Sequence, residues 1–248
     1  MIKKLKKNHA EVNDENLKII HKKQLLKLIY LDYFKLIKKN LSTLNNSNIL
    51  EIGSGPGIIK QVINNCITSE NFENPYLDRK ENIYNLNFNN ETLTDIVMVD
   101  VFHHLKYPML GLSEMNRVLK KNGKVIMIEP AMGMIPKFIY AIFHKEPNGF
   151  NMRISLSENK EPDLHKFFAA QSFPYRIFYK KEIKIDKFFN ISKVELKSDF
   201  SFLGSGGFGY TQFYPKVLYN LIKKFDNILS ILPLLFAARM IITLEKLN

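Results

Sequence analysis

One stretch restricts what this chain can fold into more than any other. Asn48-Ile-Leu-Glu-Ile52 is a short apolar run that ends directly in Gly53-Ser-Gly55-Pro-Gly57. A short apolar run closed by glycines reads as a strand buried on both faces, the kind found in a parallel sheet. Glycines at its end let the chain turn tightly and let a ligand approach the backbone, as at a nucleotide site. A helix should follow, so strand, glycine-rich turn and helix are expected in succession from Ile49 to Asn65. The spacing is G-x-G-x-G with Glu51 two residues ahead of the first glycine. Dinucleotide-binding turns read G-x-G-x-x-G, so the spacing disfavours NAD.

The alternation continues. Cys66-Ile-Thr-Ser-Glu70 is a candidate second strand, and the polar, Asn-rich stretch 71–90 leaves room for one short strand near Leu77. Asp95 to Asp100 is apolar and β-rich, Met109 to Lys120 has helical periodicity, and Gly123 to Glu129 is another buried strand. Ahead of all this, Asn13 or Asp14 can cap a helix carrying Leu17, Ile20, Leu25, Leu28, Ile29, Tyr33, Leu36 and Ile37 at helical spacing. After Pro130 the pattern breaks into an aromatic stretch, Met132 to Tyr175, read as a lid. A strand over Ile191 to Phe202, a glycine-rich loop at 204–209, a helix from Pro215 to Leu229 and a strand from Phe236 to Leu244 complete the chain.

Strands alternating with helices imply an α/β fold: a Rossmann-like, doubly wound, mostly parallel sheet with an antiparallel last strand and a helical and aromatic lid inserted after the fifth strand. The expected organisation is one domain over 1–248, with an N-terminal helix at 13–40, a ligand-binding core at 48–130, the lid at 131–180 and the C-terminal part of the sheet at 181–248.

Composition narrows the function. The one cysteine, Cys66, excludes an intramolecular disulfide, and no Cys/His group has zinc-site spacing, so a cytoplasmic protein without a metal is expected. The net charge of +12 would attract nucleic acid, but the excess is nearly all Lys accompanied by abundant Asn and Ile, the usage of an AT-rich genome, and no nucleic-acid motif accompanies it. Ile228 to Leu244 is the most hydrophobic stretch, yet Pro233 and Arg239 interrupt it, which argues against a membrane span and leaves a peripheral membrane contact open.

The turn Glu51-Ile-Gly53-Ser-Gly55-Pro-Gly57 resembles the first motif of class I S-adenosylmethionine-dependent methyltransferases of the type 11 group, acid-x-G-x-G-x-G. Asp95-Ile-Val-Met-Val-Asp100-Val-Phe-His103-His104 is similar to that group's fourth-strand motif, and Met115 to Pro130 to its helix, glycine turn and fifth strand. The resemblance covers roughly Ile49 to Pro130. It implies S-adenosylmethionine as cofactor, with Glu51, Gly53, Ser54, Gly55 and Gly57 against its amino-acid part. Glu70 would hold the ribose hydroxyls, with Asp78 as a rival, and Asp100, Val101 and Phe102 would stand at the end of the fourth strand. For the adenine the resemblance offers Asn82 where the family often has Asp, with Ile83 packing on the ring and Glu81 the acceptor if the register shifts by one.

His103, His104 and the lid's His144 are candidate acid-base residues, since an imidazole titrates near neutral pH. Methyl transfer from a sulfonium also proceeds on positioning and desolvation alone. Tyr33, on the N-terminal helix, is a candidate cap for the methionine carboxylate. The expected acceptor is a small molecule methylated on O or N, including a glycan or lipid-linked precursor. The alternatives are a non-catalytic module binding the cofactor or a partner, and an RNA methyltransferase. The oligomeric state is not fixed by sequence.

Overall fold

The structure, a computed structural model, describes residues 9–143, 146–155 and 167–247. Its centre is a seven-stranded sheet of order β3-β2-β1-β4-β5-β7-β6. The strands are β1 (Ile49–Ile52), β2 (Cys66–Glu70), β3 (Arg79–Lys80), β4 (Leu93–Val99), β5 (Leu119–Pro130), β6 (Phe189–Ser198) and β7 (Ala237–Lys246). β1 to β5 pair in parallel, and β7 runs antiparallel between β5 and β6. The strand order reverses at β1, which is flanked by β2 and β4. Loops leaving that point diverge and open a crevice at the carboxyl ends of the strands.

Alternate residues of the buried strands feed two cores, as the period of a strand requires. Leu50, Ile96, Met98, Val125 and Met127 face Phe102, Phe173, Phe178 and helix α3 (Pro108–Val118). Ile49, Val97, Val99, Ile126 and Ile128 face the apolar side of an N-terminal helix, including Leu25, Leu26, Ile29 and Phe34. All four residues of β1 and all seven of β4 are buried, which accounts for their predominantly apolar sequence; Glu51, Thr94 and Asp95 are the polar exceptions.

The expected single helix over 13–40 is two helices, α1 (His9–Lys22) and α2 (Gln24–Lys38). Lys23 leaves helical geometry with ψ 84°. Its ammonium donates to the carbonyls of Ser205, at 3.4 Å, Gly207, at 2.6 Å, and Tyr210, a tertiary contact that local periodicity cannot reveal. Asn13 lies inside α1, which is already helical at His9, rather than capping it. The helix expected after the glycine turn is one 3-10 turn, Ile58–Gln61, where β-branched Ile58, Ile59, Val62 and Ile63 weaken helical preference. The short strand expected near Leu77 falls at Arg79–Lys80.

Past the sheet's centre, α4 (Met134–Phe143) and a π-helical turn, Tyr175–Tyr179, belong to the lid region. β6 stops at Ser198, and α5 (Phe200–Ser205) occupies residues expected to be strand, because the Asp199 side chain caps it by accepting from Phe202 N–H. A 3-10 turn at Lys216–Leu218 leads into α6 (Tyr219–Leu229), and α7 (Pro233–Phe236) precedes β7. Among the described residues no helix is long and apolar enough to cross a membrane.

Candidate functional site

A pocket of about 370 Å³ opens where the strand order reverses. The turns after β1, β2 and β4 form its floor, Asn13 and Asn16 of α1 lie on one side, and Phe167 and Phe168 of the lid region on another.

The glycine turn is built for close approach. Gly53 has φ +69°, and a Cβ there would collide with the Val101 side chain, so glycine lets the β1 and β4 turns touch. Gly55 has φ +51°, and the nearest atom to a Cβ there would be Asn13 Oδ1 at 3.8 Å, so a substituent would project into open pocket space. Its N–H donates to Glu70 Oε1 at 2.9 Å. Glu70 therefore ends β2 on the pocket wall beside the turn, and burial raises its carboxyl from the usual range. Ser54 is buried, donating from its N–H to Ser69 O and accepting at Oγ from Ser69 N–H, both at 2.9 Å, and so stitches the turn to β2. Gly57, left-handed at φ +66°, starts the 3-10 turn and does not line the pocket.

Glu51 is buried behind these residues, and its Oε2 has no hydrogen-bond partner. Burial, helped by the charge of Glu70 and opposed by a hydrogen bond from Ser54, pushes its carboxyl up to about 8. A buried orphan oxygen beside a glycine cradle calls for a cationic donor.

Asn82 and Ile83 line the far side with Glu81, Tyr84 and Phe72. Asn82 Oδ1 accepts from Tyr84 N–H at 3.0 Å, while Glu81 pairs with Arg79 at 2.8 Å and accepts from Asn87 N–H at 2.8 Å. Asp78 lies outside the pocket lining: it accepts from Thr68 N–H at 2.8 Å and pairs with Lys60 at 2.6 Å.

The turn after β4 carries the richest electrostatics. Asp100, at φ +58°, lines the pocket and forms an ion pair with buried Arg239. Val101 N–H, at 2.9 Å, and Phe102 N–H, at 2.6 Å, both donate to Oε1 of Glu129, which is fully buried at the end of β5. The other oxygen of Glu129 lies 2.7 Å from His103 Nδ1, and His103 Nε2 lies 3.4 Å from Glu146. Burial works against an imidazolium, but the charge and hydrogen bond of Glu129, with Glu146 behind them, hold His103 up at about 10. His104 is the reverse: burial and the neighbouring His103 charge lower it. Its Nδ1 lies 3.0 Å from the Phe168 carbonyl, an acceptor only, so Nδ1 carries the proton and Nε2 the lone pair. Nε2 is 3.9 Å from Glu146 Oε1.

Of the paired histidines, therefore, His104 lines the pocket and His103 is buried beneath it. Phe102 lies in the core, 4.9 Å from the Phe178 ring centroid. His144 lies outside the described residues. Ligand atoms of His103, His104 and Glu146 all fall within 4.8 Å of one another, close enough for a metal ion. A proton held on His103 between two carboxylates accounts for the same convergence. Tyr33 is buried away from the pocket, its hydroxyl donating to Asp199, which also faces Arg239 at 3.7 Å.

Sequence reasoning missed Glu129, Asn13, Asn16, Phe167, Phe168 and Arg239. Glu129 carried a readable signal, an acid at the carboxyl end of a buried strand. The other five reach the site through tertiary contacts without a local pattern.

Residues 50–127 match the family model described as a methyltransferase domain. A Thermotoga maritima structure, described as a SAM-dependent methyltransferase and possible histamine N-methyltransferase, is 15% identical with a TM-score of 0.52, over 94% of this chain and 99% of that one. A SAM-dependent methyltransferase from Archaeoglobus fulgidus is 12% identical with a TM-score of 0.51, over 89% and 94%. At such identities the structural likeness establishes the fold. No curated protein matches the chain in sequence. Residues 50–127 are thus similar to a methyltransferase domain, and S-adenosylmethionine is the cofactor that this likeness implies. The site fits it: Glu51 has an unpartnered oxygen for an ammonium, Gly55 leaves the space of a side chain empty, and Glu70 presents a carboxylate to the crevice.

Proposed function

We propose that this protein methylates an oxygen or nitrogen of a small acceptor, including a glycan or lipid-linked precursor, and that His104 is the polar group serving the acceptor. The observation that carries the reading is the position of His104. It lines the same pocket as Gly53, Gly55 and Glu70, on the wall shared with Phe167 and Phe168, and its Nε2 is a proton acceptor.

S-adenosylmethionine supplies an electrophilic methyl group on a sulfonium. Glu51, Gly53 and Gly55 would hold its amino-acid end, Glu70 its ribose, and Asn82 and Ile83 its adenine. With the cofactor bound, its methyl group would pass to the acceptor's lone pair with the thioether as leaving group, and His104 Nε2 would take the proton that the acceptor gives up. Phe167, whose ring centroid lies 5.4 Å from that of His104, and Phe168 give that end of the pocket an apolar wall against which an acceptor could be positioned.

The test is transfer of an isotopically labelled methyl group to a panel of hydroxyl- and amine-bearing acceptors. The reading expects His104→Ala to lose about a hundredfold in kcat with S-adenosylhomocysteine affinity unchanged. Equal turnover by wild type and His104→Ala would remove His104 from the chemistry. Tight cofactor binding without transfer to any acceptor would favour a non-catalytic module.

A further inference from the structure

We propose that the face formed by α4, α6 and α7 docks on an anionic lipid surface, and that the acceptor enters the pocket from that surface. The second clause rests on the methyl-transfer reading; the first stands on the surface alone.

Thirteen of the nineteen exposed large apolar side chains among the described residues fall in two stretches, 134–142 and 213–234. Along α6 and its flanks Val217, Leu221, Phe225, Ile228 and Leu232 recur at helical spacing, so they form one stripe. That stripe faces outward: Val217 is 83% exposed, Leu221 65% and Ile228 62%. Phe138 and Ile142 of α4 are exposed at 64% and 73%, and α4 packs against α7, at the end of the second stretch. Soluble monomers rarely present an apolar patch beyond a few hundred Å² unless something covers it.

Charge identifies what covers it. Lys137, Lys216 and Lys224 are exposed on the same elements, whereas the Lys223 ammonium is paired with Asp32 of α2. The one acid over residues 210–236 is Asp226, which is buried and accepts from Ser198 Oγ, Phe200 N–H and Ser201 N–H. An apolar stripe rimmed by lysines without an exposed acid is the pattern of a helix lying in an anionic lipid interface. A second copy of this chain would bring the same positive charge to its own face, in a protein of net charge +12.

Topology places this face beside the site. α4 follows Pro130 at the carboxyl end of β5, and α7 leads into β7, where Arg239 pairs with Pro130. That is the edge of the sheet where the pocket opens, so a docked face would bring the pocket mouth toward the lipid. The absence of a spanning helix among the described residues fits a protein that lies on the bilayer rather than crosses it.

The experiment is cosedimentation of the full chain with vesicles of phosphatidylglycerol and phosphatidylcholine, compared with phosphatidylcholine alone. Binding to the anionic vesicles should be at least about tenfold tighter and should weaken with salt. The exposed-face variant Leu221→Ser/Phe225→Ser/Ile228→Ser should bind at least about tenfold less, with S-adenosylhomocysteine affinity unchanged. If that variant loses cofactor affinity, Lys216→Glu/Lys224→Glu decides, and should also weaken vesicle binding. Unchanged binding by either well-folded variant overturns the proposal. So does a wild type that ignores vesicles, whether it elutes as a monomer or as a dimer that the serine variant dissociates. Vesicle binding and cofactor binding are read separately, so failure of the docking proposal leaves the methyltransferase reading intact, and the converse also holds.

Discussion

Two buried ionic networks support the turn after β4, and they differ in what they hold. On one side Arg239 lies between Asp100 and Asp199, with the Tyr33 hydroxyl on Asp199. On the other, Glu129 grips Val101 N–H, Phe102 N–H and His103, with Glu146 and His104 beyond. The first network ties α2, β7 and the segment after β6 to the turn and meets the pocket through Asp100. The second ends in a side chain on the pocket wall that bears a lone pair. The two networks thus serve two ends: one locks the scaffold, the other fixes the turn that carries the pocket-lining His104.

Removing a partner from each network should separate these roles, and the largest effect is expected on the scaffold side. Arg239→Met leaves Asp100 and Asp199 facing each other's neighbourhood without a cation, a loss of about 3–5 kcal/mol in stability, or roughly 10 °C in melting temperature for a chain of this size. Thermal unfolding measures it, and an unshifted transition would show that the ion pairs contribute nothing. His104→Ala comes next, with its hundredfold loss of kcat; its melting temperature should move far less than that of Arg239→Met. If the two shifts are equal, the division between scaffold and chemistry fails.

Glu129→Gln should cost about 2 kcal/mol, because an amide meets the same backbone donors without the charge that holds His103 protonated. The smallest effect concerns Glu51. Its folded carboxyl, at about 8, stands above its unfolded value of 4.5, so the neutral form is favoured by folding. Stability from that group is fully present below 4.5 and is lost as pH rises through about 8. A cofactor ammonium would reverse this preference, so S-adenosylhomocysteine binding near pH 7 should release close to one proton. Calorimetry in buffers of differing ionisation enthalpy reads it, and Glu51→Gln should abolish the release. Release that persists in Glu51→Gln would assign the proton to another group.

The readable parts of the molecule are those whose signals are local. A buried run followed by glycines located β1 and its turn, and mostly apolar, β-rich runs located β4, β5 and β7, because central strands hide both faces. Glu70 was singled out by the resemblance and by its distance from the glycine turn, and it ends β2 on the pocket wall. Lys23 was not: its break in the N-terminal helix is held by carbonyls of residues more than 180 positions away. Arg239 read from sequence as an interruption of an apolar stretch, whereas its partner Asp100 is supplied by another strand's turn 139 positions earlier. The pair His103 and His104 could not be divided by sequence into a buried and a pocket-lining member, since that depends on a 3-10 turn at Phe102–His104 and on Glu129. The stretch 228–244 looked uniform in hydrophobicity and splits into an exposed helical end and a buried strand.

The central claim is that the glycine turn at the sheet's reversal point holds S-adenosylmethionine. Calorimetric titration of S-adenosylhomocysteine into wild type and into Gly55→Arg tests it most directly, since the arginine would fill the space left open at Gly55. The account predicts micromolar binding by wild type and at least about a hundredfold loss in the variant, roughly 2.7 kcal/mol. Well-folded wild type that does not bind, or a Gly55→Arg variant that binds as tightly, would contradict it.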